Sequence, residues 1–167
     1  CLVTDGAAAL VMTRADRAAD LAVVPVHVLG AAEAAHHLDV SSSHDLVRTA
    51  AIASGSRAFA QAGYGPGDMD VVELYDAFTI NTILFLEDLG FCPKGEGGRF
   101  VEGGRIAPGG ALPVNTNGGG LSCVHPGAYG LFTLVEATQQ LMGLAGERQV
   151  PGARLAVAHG NGVELSS

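Results

Sequence analysis

The chain has 167 residues, 48% of them hydrophobic and 16% charged, so it is long and apolar enough to bury the core of one compact domain. Its net charge of -8 gives no basic surface for nucleic acid. No apolar run approaches the roughly 18 residues that a membrane-spanning helix needs. Three cysteines, an odd number without short paired spacing, argue against disulfides and zinc and predict a reducing, cytoplasmic location.

The first third of the chain predicts two strands and two helices. Residues 7–12 and 21–29 are apolar and partly β-branched, as buried strands are, and the charged residues 14–20 between them predict a short helix. Pro25 places the second strand at an edge or a bulge. A helical pattern then extends over residues 45–63.

The middle of the chain continues this alternation. A short strand over residues 71–75 leads into a helix over residues 77–89, and Asp76 is well placed to cap that helix. Residues 90–113 contain several glycines and three prolines and predict a long loop. A loop of that length in a compact domain is usually functional.

The last third adds one helix and one strand. The helix starts near Leu131 and ends at about Gly143, and the strand covers residues 154–158. Because strands and helices alternate along the chain, the predicted fold class is α/β, with a mixed, largely buried sheet covered by helices.

Three stretches stand out as chemically unusual. They are Glu-Leu-Tyr-Asp-Ala-Phe at 73–78, Val-Asn-Thr-Asn-Gly-Gly-Gly-Leu-Ser-Cys-Val-His-Pro at 114–126, and Ala-His-Gly-Asn-Gly at 158–162. In this order and at these separations they resemble the asparagine/glutamate, histidine and C-terminal glycine-rich loops of the thiolase superfamily. The stretch from Tyr75 to Thr79 is similar to sterol-carrier and lipid-transfer members. The resemblance implies that residues 1–167 form the C-terminal half of a thiolase-like fold.

His125 is the strongest catalytic candidate. In thiolase-like sites the histidine at this place is a general base, and imidazole suits that role because its ordinary pKa lies near working pH. Taken alone, His125 fits a loop histidine that only hydrogen-bonds nearby backbone better than a catalytic residue. The Asn115-Thr116-Asn117-Gly118-Gly119 run ten residues earlier favours function. The resemblance implies that Asn115, Asn117, Gly118 and Gly119 bind the substrate.

The second stretch departs from the thiolase pattern Asn-Glu-Ala-Phe. Tyr75 and Asp76 occupy the first two of these places. A phenol can still donate a hydrogen bond to a thioester oxyanion, so we expect Tyr75 to be catalytic and Asp76 to contribute to substrate binding. The alternative for Tyr75 is an aromatic side chain that packs into the core where the strand ends.

The third stretch departs further. Thiolases usually carry a proton-shuttling cysteine where this chain has Ala158, and alanine cannot move protons. We expect the next residue, His159, to supply the lost acid/base group. The alternative for His159 is a side chain that only caps the strand end. The backbone N–H groups at Gly160 and Gly162 can bind a thioester oxyanion.

No other cysteine or metal site is expected to contribute. Cys123 is the only thiol in these motifs, but its place normally holds an apolar residue, so packing is favoured over a nucleophilic role. Cys1 lies on another part of the fold. His36 and His37, with nearby Asp39 and His44, lie in a polar linker without the spacing of a rigid metal site.

The resemblance predicts a thiolase-like acyl-CoA enzyme of lipid or sterol metabolism, with a coenzyme A thioester as substrate and no other cofactor. It implies partnership with an N-terminal thiolase half, which carries the acylated cysteine and is absent here, and a homo-oligomer. The chain alone is expected to be inactive. Two alternatives remain. One is a retro-aldolase acting on steroid side-chain CoA esters with an OB-fold acyl-CoA-binding partner, and the other is a non-catalytic acyl-CoA-binding or assembly module.

Overall fold

The structure, a computed structural model, describes residues 2–37, 39–123 and 125–162, so Cys1 and Val124 lie outside the described residues. The described helices and strands are α1 (Ala51–Ala62), β1 (Val71–Leu74), α2 (Thr79–Asp88), α3 (Gly97–Phe100), α4 (Gly119–Ser122), α5 (Gly130–Leu141) and β2 (Ala156–His159). Short 3-10 helices cover Ala15–Asp20, Val40–Ser42, Pro66–Asp68, Glu102–Gly104 and Gly146–Arg148. None of the described helices has the length and apolar character needed to cross a bilayer.

The sheet is small and parallel. β1 and β2 pair in register from Val71 opposite Ala156 to Leu74 opposite His159. Val114 adds a parallel bridge to Val72 on the other side of β1. The carboxyl ends of parallel strands meet at one edge of a sheet, so the segments that follow β1, β2 and Val114 are neighbours. These segments are the three predicted motif stretches.

Helix α5 covers one face of the sheet, and residues of α1 and α2 pack on the other, which confirms the α/β class. Side chains along a strand alternate between faces. Glu73 points toward α5, where it shares Thr116 with Glu136, whereas Val72 and Leu74 pack against α1 and α2. The buried residues of this core are Ala51, Val72, Leu74, Phe85, Leu86, Leu89, Cys92 and Val114.

The two N-terminal strands predicted from the sequence are wrong. Residues 7–12 and 21–29 form no strand, and the side chain of Val11 is fully exposed. A strand needs a neighbour to pair its backbone groups. Within the described part of the chain, the one bridge formed by this region joins Val3 to His125. The short charged helix is confirmed as the 3-10 helix Ala15–Asp20.

The first long helix starts later than predicted. It begins at Ala51 rather than near residue 45, because Asp45 Oδ1 accepts the Val47 N–H in a local turn and Asp88 Oδ2 accepts the Thr49 N–H. These carboxylates accept hydrogen bonds from backbone N–H groups that an earlier start of the helix would place in its first turns. Its predicted end is confirmed at Gly63, which has a φ of +73°.

Later elements match the prediction in type. Helix α2 is present, but Asp76 does not cap it, because the N-cap residue is Phe78 and the Asp76 carboxylate binds another segment. Residues 90–113 contain α3 and the 3-10 helix Glu102–Gly104, and they pack Phe100 against the core, so this segment is more ordered than a plain loop.

The C-terminal elements lie where the sequence places them. Helix α5 ends just before Gly143, whose φ is +72°. The last strand is confirmed as β2. It covers Ala156–His159, so it starts two residues later and ends one residue later than the predicted range 154–158. As a result, His159 belongs to the strand and not to the loop after it.

Candidate active site

The structure brings Tyr75 and His125 together at the carboxyl edge of the sheet. Their ring centroids are 6.1 Å apart in a T-shaped arrangement, and Tyr129 lies 5.9 Å from Tyr75 on centroids, also edge to face. The backbone holds both residues in place. The N–H of Tyr75 donates to the carbonyl of His159 at 3.1 Å, and the N–H of His125 donates to Thr4 Oγ1 at 3.2 Å.

Both tyrosines carry protonated hydroxyls. Burial, followed by the neighbouring Asp76 carboxylate, raises the pKa of Tyr75 above its ordinary value. Burial, followed by Cys123, raises the pKa of Tyr129, while a hydrogen bond with Asn117 opposes that shift. A protonated phenol donates a hydrogen bond. Tyr75 is therefore suited to donate to a developing oxyanion rather than to remove a proton.

Asp76 holds the glycine-rich turn. It is 3% exposed, and its Oδ1 accepts the Gly120 N–H at 2.7 Å while its Oδ2 lies 3.4 Å from the Leu121 nitrogen. Gly119 has a φ of +69°, and a Cβ added there would lie 2.0 Å from Asp76 Oδ2. Only glycine allows this approach. The predicted binding residue Asp76 thus faces protein backbone, and Gly119 provides the space for it.

The two predicted asparagines also bind the protein in this structure. Asn115 has a φ of +51°, and its Oδ1 accepts the N–H of Leu74 at 2.7 Å, so it joins the loop to β1. Asn117 Oδ1 accepts the Gly119 N–H at 2.8 Å, and the same side chain is hydrogen-bonded to Tyr129. Gly118, also predicted, has a φ of +91° and starts the turn. A substrate-binding role for these residues stays a prediction.

Two buried residues of this region are not among the site residues predicted from the sequence. Glu73 is 1% exposed in the middle of β1 and binds Thr116, and Tyr129 is 2% exposed beside Tyr75. The sequence does carry a signal for Glu73, because a carboxyl group inside an apolar strand is expensive to bury without a partner. Tyr129 has no comparable signal.

His159 lies apart from the Tyr75–His125 pair. It is opposite Leu74, so its side chain points to the α2 face of the sheet, and its ring centroid is 4.2 Å from that of Phe85. Its neighbour Ala158 is opposite Glu73, on the face covered by α5. The place where thiolases carry the second cysteine therefore faces the α5 side, and His159 does not. Its predicted acid/base role stays a prediction.

Burial makes His159 an acid-sensitive point of the fold. It is 6% exposed, neither ring nitrogen has a hydrogen-bond partner among the described residues, and burial lowers its pKa to about 4. Because the unfolded chain protonates near pH 6.5, the stability that depends on neutral His159 is lost as the pH falls from about 6.5 toward 4. The ring is therefore neutral at pH 7.

We expect this histidine to account for on the order of 3 kcal/mol of the stability lost between about pH 7 and pH 4. Denaturant unfolding of the wild type and of His159→Leu at both pH values measures that share. The exposed His27→Leu serves as the control and should lose as much stability as the wild type. An equal acid loss in His159→Leu would show that His159 is not the sensitive group.

The loop after β2 packs closely on α5. A Cβ added at Gly130 would lie 3.0 Å from the Cα of Gly160, so glycine at both positions permits this contact. Beside it opens a cavity of about 750 Å³. Its lining residues are Glu33, Ala34, Ala35, Ala128, Gly130, Leu131, Leu134, Gly160, Asn161 and Gly162. The predicted glycines Gly160 and Gly162 thus line space for a ligand, next to the aromatic pair but not including it.

Cys123 does not pack into the core as predicted. It is exposed, and its Sγ donates to the Gly119 carbonyl at 2.9 Å, an oxygen that also accepts the Cys123 backbone N–H at 3.2 Å. Cys92 is buried. The described residues contain no group of three or more His, Cys, Asp or Glu side chains arranged to hold a metal ion.

Comparison with curated proteins identifies several relatives. The acetyl-CoA acetyltransferase of Methanothermobacter thermautotrophicus is 43% identical over 162 residues, 96% of this chain and 42% of that protein. The 17-hydroxy-3-oxo-4-pregnene-20-carboxyl-CoA lyase of Mycobacterium tuberculosis is 36% identical over 99% of this chain and 44% of that protein. Sterol carrier protein 2 of Bos taurus is 45% identical over 64% of this chain and 20% of that protein. The chain thus spans less than half the length of each of these proteins.

A solved structure and a family profile agree with these relatives. The structure described as "Ltp2-ChsH2(DUF35) aldolase" superposes with a TM-score of 0.72 at 31% identity, covering 78% of this chain and 35% of that chain. The profile described as "Thiolase C-terminal domain-like" matches residues 32–167. The chain is therefore a member of the thiolase C-terminal domain-like family.

Proposed function

We propose that this chain supplies the Tyr75 and His125 side of the active site of a thiolase-like acyl-CoA enzyme. The observation that carries the proposal is the edge-to-face contact of these two rings where the parallel strands end. Two different proton-handling groups lie together there, and ligand-binding sites of parallel sheets occupy this edge. The cavity beside Gly160–Gly162 supports the proposal because it offers room for the rest of the thioester.

Each residue has a role that fits its chemistry. His125 acts as the general base, which takes a proton from the incoming group and returns it later. Tyr75 donates to the thioester oxygen as negative charge develops on it. In acyl transfer, the nucleophilic cysteine comes from the N-terminal half that thiolase-like proteins carry.

A second candidate reaction is retro-aldol cleavage of a β-hydroxyacyl-CoA. The observation that favours it is Ala158, which lies on the α5 face where thiolases have their second cysteine. In this reaction His125 takes the β-hydroxyl proton, the bond between the α and β carbons breaks, and a ketone forms. The thioester enolate, stabilised by Tyr75, then takes that proton from His125 at its α carbon. Relatives named as a lyase and an aldolase support this alternative.

The proposed partners follow from the same relatives and from the surface. The N-terminal segment exposes large apolar side chains, with Leu2 83%, Val3 86% and Val11 100% exposed. Exposed large apolar side chains are frequent at interaction sites. We propose that it contacts an N-terminal thiolase half in a cytoplasmic homo-oligomer. The ChsH2(DUF35) component named with the aldolase supports a second protein as partner if the reaction is retro-aldol, and we propose an OB-fold acyl-CoA-binding protein for that place.

Replacing Tyr75 with phenylalanine tests the proposal. The variant keeps the ring and removes the hydroxyl that donates to the oxyanion, so we expect kcat to fall by about 100-fold or more, as loss of one oxyanion donor does elsewhere. The assay uses the complete protein, with the N-terminal half present, and follows thiolysis of 3-ketoacyl-CoA and cleavage of β-hydroxyacyl-CoA. The exposed Tyr64→Phe is the matched control and should be fully active. An unchanged kcat in Tyr75→Phe would contradict the role of Tyr75.

Thiol chemistry separates the two reactions. If the enzyme is a thiolase, alkylation of thiols abolishes turnover and mass spectrometry finds an acylated cysteine. If it is a retro-aldolase, alkylation has little effect, no acyl-enzyme accumulates and a ketone is released. Binding of acyl-CoA without either reaction would instead indicate the non-catalytic module.

A further inference from the structure

Beneath the proposed site, the side chain of Thr116 is shared by three groups. Its Oγ1 lies 2.8 Å from Glu73 Oε1, 2.7 Å from Glu136 Oε1 and 2.9 Å from Gln140 Nε2. A hydroxyl has one hydrogen to donate and two lone pairs to accept with. The three contacts therefore fill the capacity of Thr116 Oγ1, provided that two of its neighbours donate and one accepts.

The orientation of Gln140 identifies the first donor. Its Oε1 accepts the Val150 N–H at 2.8 Å and lies 3.2 Å from Gln149 Nε2, so the amide nitrogen faces Thr116 and donates to it. The single Thr116 hydrogen can then serve only one carboxylate. The other carboxyl group must carry a proton and donate it to the second lone pair.

The arginine on the same network identifies the charged carboxylate. Arg148 Nη2 lies 3.0 Å from Glu136 Oε2 and Arg148 Nε lies 3.2 Å from Glu136 Oε1, so Glu136 is ionised and accepts from Thr116. Glu73 is 1% exposed, and within the described residues its Oε1 accepts the Thr116 backbone N–H at 3.1 Å and lies 2.8 Å from Thr116 Oγ1, with no cation in ion-pair contact to favour a charge. Glu73 is therefore the protonated partner.

We propose that Glu73 is a neutral carboxylic acid that donates its proton to Thr116 Oγ1 and so positions the loop of residues 115–119 beside the proposed active site. Thr116 lies between Asn115, which binds the Leu74 N–H, and Asn117, which holds Tyr129 and the Gly119 amide. Fixing Thr116 fixes both asparagines. Glu73 is a positioning residue, and its effect on catalysis rests on the proposed function.

The surroundings of Glu73 support this state and set its pH range. Burial, opposed by the bonds from Thr116 and reinforced by the charges of Glu136 and Asp76, raises the pKa of Glu73 to about 7. Tyr129 and Arg148 also interact with its charge. Because the folded pKa is raised, the stability from protonated Glu73 is fully present below about pH 4.3 and is lost as the pH rises through about 7.

A carboxyl titration tests the proposal directly. In the purified protein labelled with ¹³C at the glutamate carboxyls, the Glu73 resonance, assigned through its bonded backbone, should titrate near neutral pH. Glu136 should titrate below the ordinary glutamate range, because its partner Arg148 favours the charged form. The measurement uses the wild type and needs no variant. A Glu73 that titrates near pH 4.3, the ordinary value, would overturn the proposal.

Variants extend the test to the loop. Glu73→Gln is neutral at every pH, so its urea midpoint should rise relative to that of the wild type between about pH 6 and pH 8.5, whereas the exposed-residue control Glu147→Gln should follow the wild type. Thr116→Ser, which keeps the hydroxyl, should behave as the wild type, and Thr116→Val should lower the midpoint at every pH. An equal change of the midpoint with pH in the wild type and Glu73→Gln would contradict the proposal.

An activity profile separates this inference from the proposed function. If both hold, kcat of the complete protein falls above about pH 7 with KM unchanged, and Glu73→Gln removes that fall. A protein that has the Glu73 titration but no acyl-CoA activity refutes the proposed function alone. A normal Glu73 titration in an active enzyme refutes the positioning role alone.

Discussion

Replacing His125 with alanine should lower kcat of the complete protein by about 10²- to 10⁴-fold, the usual contribution of a positioned general base. The structure supports a large effect because the His125 ring meets Tyr75 edge to face at the strand ends. The backbone of His125 is held by Thr4 and would keep its place in the variant. Steady-state turnover of an acyl-CoA substrate measures the change, with the unfolding midpoint measured alongside.

A matched control makes this result specific. His44 is exposed in the polar linker, so His44→Ala should have wild-type kcat. The loss in His125→Ala should appear mainly in kcat rather than in KM, because a general base acts in the transition state. A His125→Ala enzyme that turns over at the wild-type rate would remove the central residue from the proposed mechanism.

Replacing Gly119 with alanine should unfold the glycine-rich turn, with a loss of about 3 kcal/mol or more of unfolding free energy. The left-handed backbone alone costs about 1–2 kcal/mol for a residue with a Cβ. The new Cβ would in addition lie 2.0 Å from Asp76 Oδ2 and displace the carboxylate that accepts the Gly120 N–H. Leaving such a buried group unpaired costs about 1–3 kcal/mol more.

Gly127 provides a control for the backbone conformation. Its φ is +67°, against +69° at Gly119, but nothing lies within 4 Å of a Cβ added there. Gly127→Ala should therefore lose only about 1–2 kcal/mol. Denaturant unfolding of both variants isolates the contact with Asp76. Equal losses would mean that Asp76 can move aside, and that it does not hold the turn as tightly as the structure indicates.

The sequence predicts the central elements of this fold because their signals are local. The apolar run of β1 and the glycine that ends α1 each act within a few residues. The strands predicted at residues 7–12 and 21–29 fail for the opposite reason. An apolar, β-branched segment becomes a strand only beside a partner, and the described residues provide none there.

The site shows the same division. The order of the motifs predicts that Tyr75 and His125 lie close together, because segments that follow parallel strands meet at one edge of the sheet. The face on which a side chain lies depends on register, and a shift of one residue reverses it. Local spacing alone therefore does not show that Ala158 faces α5 while His159 packs on Phe85. The hydrogen bonds between Asp76 and Gly120 and between Thr116 and Glu73 join residues more than 40 positions apart, so they require the folded chain.

The most direct test of the central claim is a crystal structure of the complete protein with a non-hydrolysable acyl-CoA analogue. We expect the carbonyl oxygen of the analogue to lie within hydrogen-bond distance of the Tyr75 hydroxyl, about 2.5–3.0 Å, with the His125 ring facing the reacting carbon. We also expect the pantetheine arm to pass the loop at Gly160–Gly162. An analogue that binds with its thioester away from both Tyr75 and His125 would contradict the proposed active site.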